Sequence, residues 1–300
     1  MEKGDGNIPV LFSRGTTLGE SWEKSILELW DNGIEIATEY DKPGDPLSKD
    51  ATLVWVAEQP FAEPRVHRWF IGGPSELESY RREVIDGIHD NEINPKEGKW
   101  KYTYHERLFD YNPSKGFNLP NRGLLLDKGF DQIKDIVNKL AKTTYSRRAQ
   151  ATTWMPTADP ELSDPPCLQS VWCRLLRDNQ GNLVLNMNTR WRSRDAWRAA
   201  FMNAYALTDM QGIIASDISG IINEEVKVGR YCDMNDSYHI YGMSMTDPTT
   251  GITPKRVEMM RTRPYSSRAW RSDDSVFLEP TLDARAKLSK DPNYFLRGGK

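Results

Sequence analysis

The sequence predicts a single α+β domain. Three observations carry the prediction. Stretches with apolar residues every three to four positions alternate with shorter aromatic and β-branched runs. Two of those runs flank the polar, glycine-containing turn "RDNQGN", the mark of a β-hairpin. Neither an internal repeat nor a linker interrupts the 300 residues, a length that buries one large core or two modest ones, so residues 1–300 read as one domain.

The elements follow in order. "ESWEKSILELWDNG", Glu20 to Gly33, is an amphipathic helix closed by its glycine, and "ATLVWVAEQPFAEP" is a buried strand ended by prolines. "PSELESYRREVIDGIHD" is helical with Ser75 as its cap, while "KWKYTYHERLFDY" alternates aromatic and polar residues like a strand or an ordered loop. A helix from about Asp131 to Ala141 leads through a basic turn into another strand. The hairpin comes next, then a largely buried helix in "DAWRAAFMNAYALTDMQGII", then the aromatic strand "YCDMNDSYHIYGMSM". The tail from about Lys255, rich in Arg, Ser, Asp and Pro, yields no assignment.

Composition narrows the function. A hydrophobic share of 38% and a charged share of 28% are those of an ordinary globular protein, and a net charge of -3 offers no global attraction to nucleic acid or anionic membrane. No apolar run approaches the roughly 18 residues a membrane helix needs. The N-terminus lacks a signal peptide's basic start and apolar core. Three widely spaced cysteines fit neither a disulfide framework nor a zinc ribbon, and four histidines argue against a His-rich metal site. The expectations are a cytoplasmic protein with no metal.

Cys167, in "DPPCLQSVWCRL", follows two prolines at the mouth of a strand. If the hairpin turn centres near Asn179–Gly181, facing residues have numbers summing to about 359 or 360, which sets Cys167 opposite Arg192 or Ser193. Facing Cα atoms lie about 4.5–5.5 Å apart, so a guanidinium could favour the thiolate and lower the pKa of a nucleophilic Cys167. A half-buried structural cysteine is the alternative; Cys173, in mid-strand, reads as structural.

Around it, "YSRRAQ" supplies Arg147 and Arg148, and "TRWRSRDAWR" supplies Arg190, Arg192, Arg194 and Arg198. Such runs are commonly solvated faces, yet arginine forks also match phosphate oxygens. A small phosphorylated molecule suits an acidic protein with a local arginine cluster better than a duplex does. "DSYHIYG" sets His239 and Tyr241 on alternate positions, on one strand face, where both could hold a sugar hydroxyl.

These segments together resemble the thymidylate synthase and pyrimidine nucleotide hydroxymethylase family. "DQI" at Asp131 with "SRRAQATTW", "PPCLQ", "RSRDAWRAAFMN" and "HIY" look like four of its motifs in the family's order, spanning about Asp131 to Gly242. The resemblance implies a large mixed β-sheet flanked by helices, with one sheet face used for homodimerisation. It implies 5,10-methylenetetrahydrofolate as cosubstrate and a pyrimidine nucleoside monophosphate as substrate. Cys167 would add to C6 of the base, and Asn203 would bond the base edge in a manner that suits uracil. Arg192 and Ser193 would take the phosphate, with Arg147 and Arg148 reaching the same phosphate from the partner subunit. His239 and Tyr241 would hold the ribose, and Asp195 would contact the pterin. Tyr104 or Tyr102 would serve as the base at C5, and Glu83 or Glu78 as the catalytic glutamate.

The chain also departs from the family pattern. Leu168 stands where a His follows the nucleophile, and Leu108 falls where a Trp shields the methylene intermediate. The arginine-rich phosphate loop is not evident, leaving Lys49 as a substitute, and a longer tail replaces the short closing C-terminus. Thymidylate synthesis is the expected reaction, with 5-hydroxymethylation as the alternative. More distant readings are a cysteine hydrolase built on Cys167, His239 and Asp195, and an RNA-binding module on the Arg/Trp segment.

Overall fold

A computed structural model describes residues 6–94, 97–113 and 129–297. In chain order the elements are β1 (Val10–Gly15), α1 (Leu18–Asn32), β2 (Ile34–Ile36), β3 (Ser48–Ala57), β4 (Val66–His67), α2 (Gly73–Asp86), α3 (Tyr104–Phe109), α4 (Gln132–Lys142) and β5 (Gln150–Thr152). They continue with β6 (Leu168–Arg177), β7 (Leu183–Trp191), β8 (Arg194–Asp195), α5 (Ala200–Ile222), β9 (Val226–Ile240), α6 (Gly242–Thr246), α7 (Pro254–Thr262), β10 (Ala269–Trp270) and α8 (Ser275–Lys290). Eight strands form one sheet of order β1-β3-β9-β7-β6-β5, with β2 on β3 and β8 on β9. The β1–β3 and β7–β9 pairs are parallel and β3–β9 and β6–β7 antiparallel, so the sheet is mixed as expected. Among the described residues no helix is long and apolar enough to cross a membrane.

Strand periodicity decides which side chains enter the core. Leu53 and Trp55 of β3, Met187 and Thr189 of β7, and Tyr231 and Asp233 of β9 are fully buried beneath α1 and α5. Their alternates Val54, Asn188 and Met234 are only half-buried, and Phe12 on β1 is exposed. The central helix α5 is largely buried, as its composition predicts.

The hairpin register is the one the turn dictates. Val171 faces Thr189 and Leu175 faces Leu185, sums of 360; a bulge between Leu168 and Ser170 then shifts the pairing so that Leu168 faces Trp191, a sum of 359. Cys167 therefore falls opposite Arg192, whose backbone N–H donates to the Cys167 carbonyl at 2.9 Å. The bulge re-aims the strand at the residue where the nucleophile sits.

Four assignments change. "KWKYTYHERLFDY" contains helix α3, capped by Thr103, whose hydroxyl accepts from the Glu106 N–H at 2.9 Å. Ser75 does not cap α2: Pro74 in the first turn moves the start back to Gly72, and the Ser75 hydroxyl reaches Pro280 instead. Gly33 ends α1 with a negative φ of -67°, so its role is not a left-handed turn; a Cβ there would lie 2.6 Å from the Leu29 carbonyl oxygen. The tail is ordered as α7, β10 and α8, with β10 pairing β4 and α8 lying along α2.

Candidate active site

Six parts of the fold converge on one cavity of about 320 Å³. The mouth of β6 contributes Cys167, the β7–β8 bend Trp191, Ser193, Arg194 and Asp195, the start of α5 Asn203, and the end of β9 His239 and Tyr241. Tyr80 of α2 and Tyr104 of α3 complete the wall. A second cavity of about 270 Å³, lined by Asp50, Ser237 and Tyr40 among others, shares Ser193, His239 and Tyr241 with the first. Short-range pairing sets the order within the wall. Asp195 of β8 lies directly beside His239 of β9, and the Ala196 N–H donates to the His239 carbonyl at 2.8 Å. Trp22 of α1 fixes the same bend by donating its indole N–H to the Ala196 carbonyl at 2.8 Å.

Of the residues expected from sequence, Cys167, Tyr104, Asn203, Ser193, Asp195, His239 and Tyr241 are brought together. Arg192 lies beside the nucleophile but not in the cavity wall, because its guanidinium donates to the Pro165 and Pro166 carbonyls at 2.6 and 3.1 Å. Arg147 and Arg148 are exposed next to Ala149, whose carbonyl accepts from the Cys173 N–H. Six residues of strand separate that point from Cys167, about 20 Å at roughly 3.3 Å per residue. Within one subunit they are remote from the thiol.

Glu83 and Glu78 do not line the cavity. Glu83 is bonded to His89 at 3.0 Å, and Glu78, almost fully buried, is held by Arg81 and Arg285. Lys49 is tied to Glu35 at 2.8 Å. Tyr102 likewise lies outside the wall, and Leu108 is buried in the core away from it.

The arginines do not form the single patch expected. Arg190 pairs outward with Asp236, and Arg198 donates to Ser244 at 2.9 Å. Arg194 turns inward instead, bonding Asp233 at 3.1 Å and the Ala200 carbonyl at 2.9 Å, with its guanidinium 3.5 Å from the Trp191 ring centre. Tyr80, Trp191 and Ala199 are wall residues not singled out from sequence, and Arg194 was named there only as a member of the arginine cluster. Arg194 had a visible signal, an arginine two residues beyond Arg192, but which arginine faces inward depends on the bend at residues 192–193.

Electrostatics overturns one expectation. Burial pushes the Cys167 thiol up, and the Arg192 and Arg194 charges only partly oppose it. The resting cysteine is therefore a thiol poised beside cations, not a preformed thiolate. Burial likewise pushes Asp195 up to about 6, against N–H bonds from Arg198 and Trp197 at 2.8 and 3.1 Å. It lowers His239 to about 4, leaving a neutral imidazole at pH 7. Tyr241 is raised to about 12, and Tyr104, which accepts the Leu168 N–H at 3.3 Å, is also raised, so both are phenols at neutral pH.

A cysteine, an amide, a carboxylate, a neutral imidazole and three phenols around one small cavity can bind a polar ring and add sulfur to it. Comparison with known proteins agrees. The profile of the thymidylate synthase family matches residues 12–266. A protein of Methanococcoides burtonii named "Putative thymidylate synthase" is 25% identical over 230 residues, 76% of this chain and 88% of that one. A Methanocaldococcus jannaschii protein of the same name is 30% identical over 174 residues, 56% of this chain and 64% of that one. In fold, the chain is similar to the thermostable thymidylate synthase A of Bacillus subtilis, with a TM-score of 0.56, 14% identity, and 83% and 85% of the two chains covered. With the match running through every segment that builds the cavity, the chain belongs to the thymidylate synthase family.

Proposed function

We propose that the protein transfers a folate-borne one-carbon unit to C5 of a pyrimidine nucleoside monophosphate, with dUMP-to-dTMP synthesis as the reaction the site supports best. The observation that carries the reading is Cys167 at a strand mouth, facing a cavity walled by Asn203, Ser193, Asp195, His239 and Tyr241.

In this reading a bound nucleotide completes the activation of Cys167. The thiol passes its proton to water in the cavity, its sulfur bonds to C6, and the C5–C6 π pair moves toward C5 and O4, turning C5 into a nucleophile; when the C5 proton has left, the S–C6 bond breaks and frees the cysteine. Asn203 takes the base edge, where fixed dipoles stabilise the growing charge. His239 and Tyr241 hold the ribose from the shared wall of the two cavities. Tyr104, a neutral phenol, orients the water that removes the C5 proton and so relays it instead of acting as a phenolate base. Glu83, behind the wall, is given no contact with substrate.

The folate supplies the carbon and, for methylation, a hydride. Asp195 suits its pterin: Oδ1 takes the two backbone N–H groups, and Oδ2 has no hydrogen-bond partner among the described residues. The aromatic wall of Tyr80, Tyr104 and Trp191 would keep the reacting carbon dry, which favours a methyl product. Hydroxymethylation is the second reading, because no described residue beyond Tyr241 lines the Cys167 cavity.

Among the described residues, Arg194 is the one arginine or lysine lining either cavity, and it is paired with Asp233. A phosphate therefore calls for cations from next door. Arg192, rotating off the proline carbonyls, would supply one, and the exposed Arg147 and Arg148 of the partner subunit would supply others. The less buried sheet face bearing Phe12, Val54 and Met234 would form that homodimer. The unpaired thiols suit a reducing cytoplasm.

The test supplies dUMP, dCMP, UMP and CMP separately with methylenetetrahydrofolate and weighs the products. A methylated dUMP is the expected result, a hydroxymethylated product selects the second reading, and no product from any of the four rejects both. Cys167→Ser should lower turnover by on the order of 10⁴ while leaving the fold intact.

A further inference from the structure

The cavity of about 270 Å³ shares Ser193, His239 and Tyr241 with the Cys167 cavity, but the proposed reaction gives its other residues no work. Two of these, Asp50 of β3 and Ser237 of β9, form a chain that ends on His239. We infer that Asp50 and Ser237 are positioning residues: they hold the His239 imidazole with its proton on Nδ1, so that Nε2 is left to the cavity as an acceptor and takes only a sugar hydroxyl that donates. This rests on the nucleotide reading above and deepens it.

Strand register brings the three together. Asp50 is the cross-strand neighbour of His239, and Ser237 precedes His239 by two residues, hence on the same face of β9. The Ser237 hydroxyl lies 3.0 Å from both Asp50 oxygens and 3.4 Å from His239 Nδ1. It has one proton. A carboxylate has none to give, so the serine proton goes to Asp50 and the serine oxygen accepts from the ring. Nδ1 therefore carries the hydrogen. Burial lowers His239 to about 4, so the ring is neutral at pH 7 and Nε2 holds a lone pair. The Ser237 backbone also accepts from the ring and favours the same form.

The reverse arrangement is disfavoured from both ends. Moving the ring proton to Nε2 requires Ser237 to donate to Nδ1, which takes its hydroxyl from Asp50. Burial already raises Asp50 from its ordinary 3.8, and the Ser237 and Ala51 bonds oppose that rise. Turning the ring over sets a carbon against the Ser237 oxygen and loses the bond. Nε2 itself has no hydrogen-bond partner among the described residues, so a ligand supplies the donor. In a deoxyribonucleotide the free sugar hydroxyl is the 3′-OH, and fluorine there keeps the size while removing the proton. A buried acceptor left unmatched weakens binding by about tenfold.

The test pairs nitrogen NMR with calorimetry on the full-length protein. At pH 7 the ring nitrogens of wild-type His239, assigned by their loss in His239→Gln, should show Nδ1 protonated and Nε2 bare. Asp50→Ala releases the serine proton toward Nδ1, so a population protonated on Nε2 should appear. Wild type should bind 3′-fluoro-2′,3′-dideoxyuridine monophosphate at least about tenfold more weakly than dUMP, and Asp50→Ala should shrink that gap to about threefold or less. The two wild-type results need no variant at position 50 to fold. Protonated Nε2 in wild type, an unchanged tautomer in Asp50→Ala, or equal binding of the fluoro and hydroxy nucleotides overturns the inference and leaves the nucleotide reading standing. Binding of neither nucleotide rejects the nucleotide reading and the hydroxyl preference with it, while the ring-nitrogen result still decides whether Asp50 and Ser237 set the tautomer.

Discussion

Arg194 and Arg268 are each 2% exposed, and each faces one buried carboxylate, yet they are satisfied very differently. Arg268, in the tail, bonds both oxygens of Glu23, at 2.6 and 2.8 Å, and the Met259 and Arg263 carbonyls as well. Glu23 also accepts from or shares a proton with His67 at 2.8 Å. Burial alone would raise Glu23, but Arg268 and His67 outweigh it and hold the carboxyl below its usual range. Arg194, in the cavity wall, leaves Nε and Nη1 without a hydrogen-bond partner, and Asp233 opposite leaves Oδ1 without one. There burial wins, and Asp233 is raised. The Arg268–Glu23 pair is completed by its own neighbours. The Arg194–Asp233 pair behind the cavity wall keeps polar atoms unmatched and its carboxyl raised.

The largest break in this comparison should come from Arg268→Met. It strands the Glu23 charge in the core and should cost about 3–5 kcal/mol of stability at pH 7, read from denaturant unfolding. The deficit should shrink on acidification, because protonation of Glu23 removes the stranded charge. The alkylation rate of Cys167 in the folded protein should stay at the wild-type value. A variant as stable as wild type would mean that the tail network is decorative.

How far sequence reaches follows the same division. The β6–β7 register was readable because one turn fixes it, and it carried the Cys167–Arg192 adjacency with it. What it could not carry was where the Arg192 guanidinium points, or that burial outweighs its charge at the thiol. The inward turn of Arg194 needs the bend at residues 192–193, which breaks the two-residue alternation shared with Arg190. Helix α3 had a local signal in Thr103 and Glu106, hidden by the aromatic alternation around it. Tyr80 had none, since its place in the wall depends on how α2 packs against α5. The tail's α8 is similarly a tertiary product: its Arg285 has meaning only once Glu78 of α2 lies opposite.

A smaller effect should appear within the cavity wall. Asp195 titrates near 6 in the folded chain, against an ordinary 3.8. Between those values the folded state holds more protons than the unfolded one, so this group makes stability fall as pH rises from about 4 to 6. A shift of that size corresponds to about 3 kcal/mol at pH 7. Asp195→Asn keeps an oxygen for the Trp197 and Arg198 N–H groups, and should stabilise the protein by up to that amount at pH 7 and by little below pH 4. His239, lowered to about 4, works in the opposite sense: its contribution is present above about 6.5 and is lost as pH falls toward 4. The two contributions therefore oppose each other over this range, and Asp195→Asn should make stability rise more steeply with pH than in the wild type. A variant profile no steeper than the wild type's would show that the Asp195 shift is not set by the cavity.

The smallest effect marks where the cavity side ends. Glu83 shares α2 with Tyr80, but its carboxylate bonds His89, which in turn reaches the Pro292 carbonyl at 3.1 Å on the tail side. Its influence on the cavity is a charge felt by Tyr80, not a contact with substrate. Glu83→Gln keeps the shape and an oxygen that can accept from His89 while removing that charge. Turnover under saturating nucleotide and folate should change by less than about threefold, since a partly screened charge acting through one phenol has little leverage on the barrier. A loss of a hundredfold or more would place Glu83 in the chemistry itself. The catalytic wall would then extend along α2, one turn beyond Tyr80.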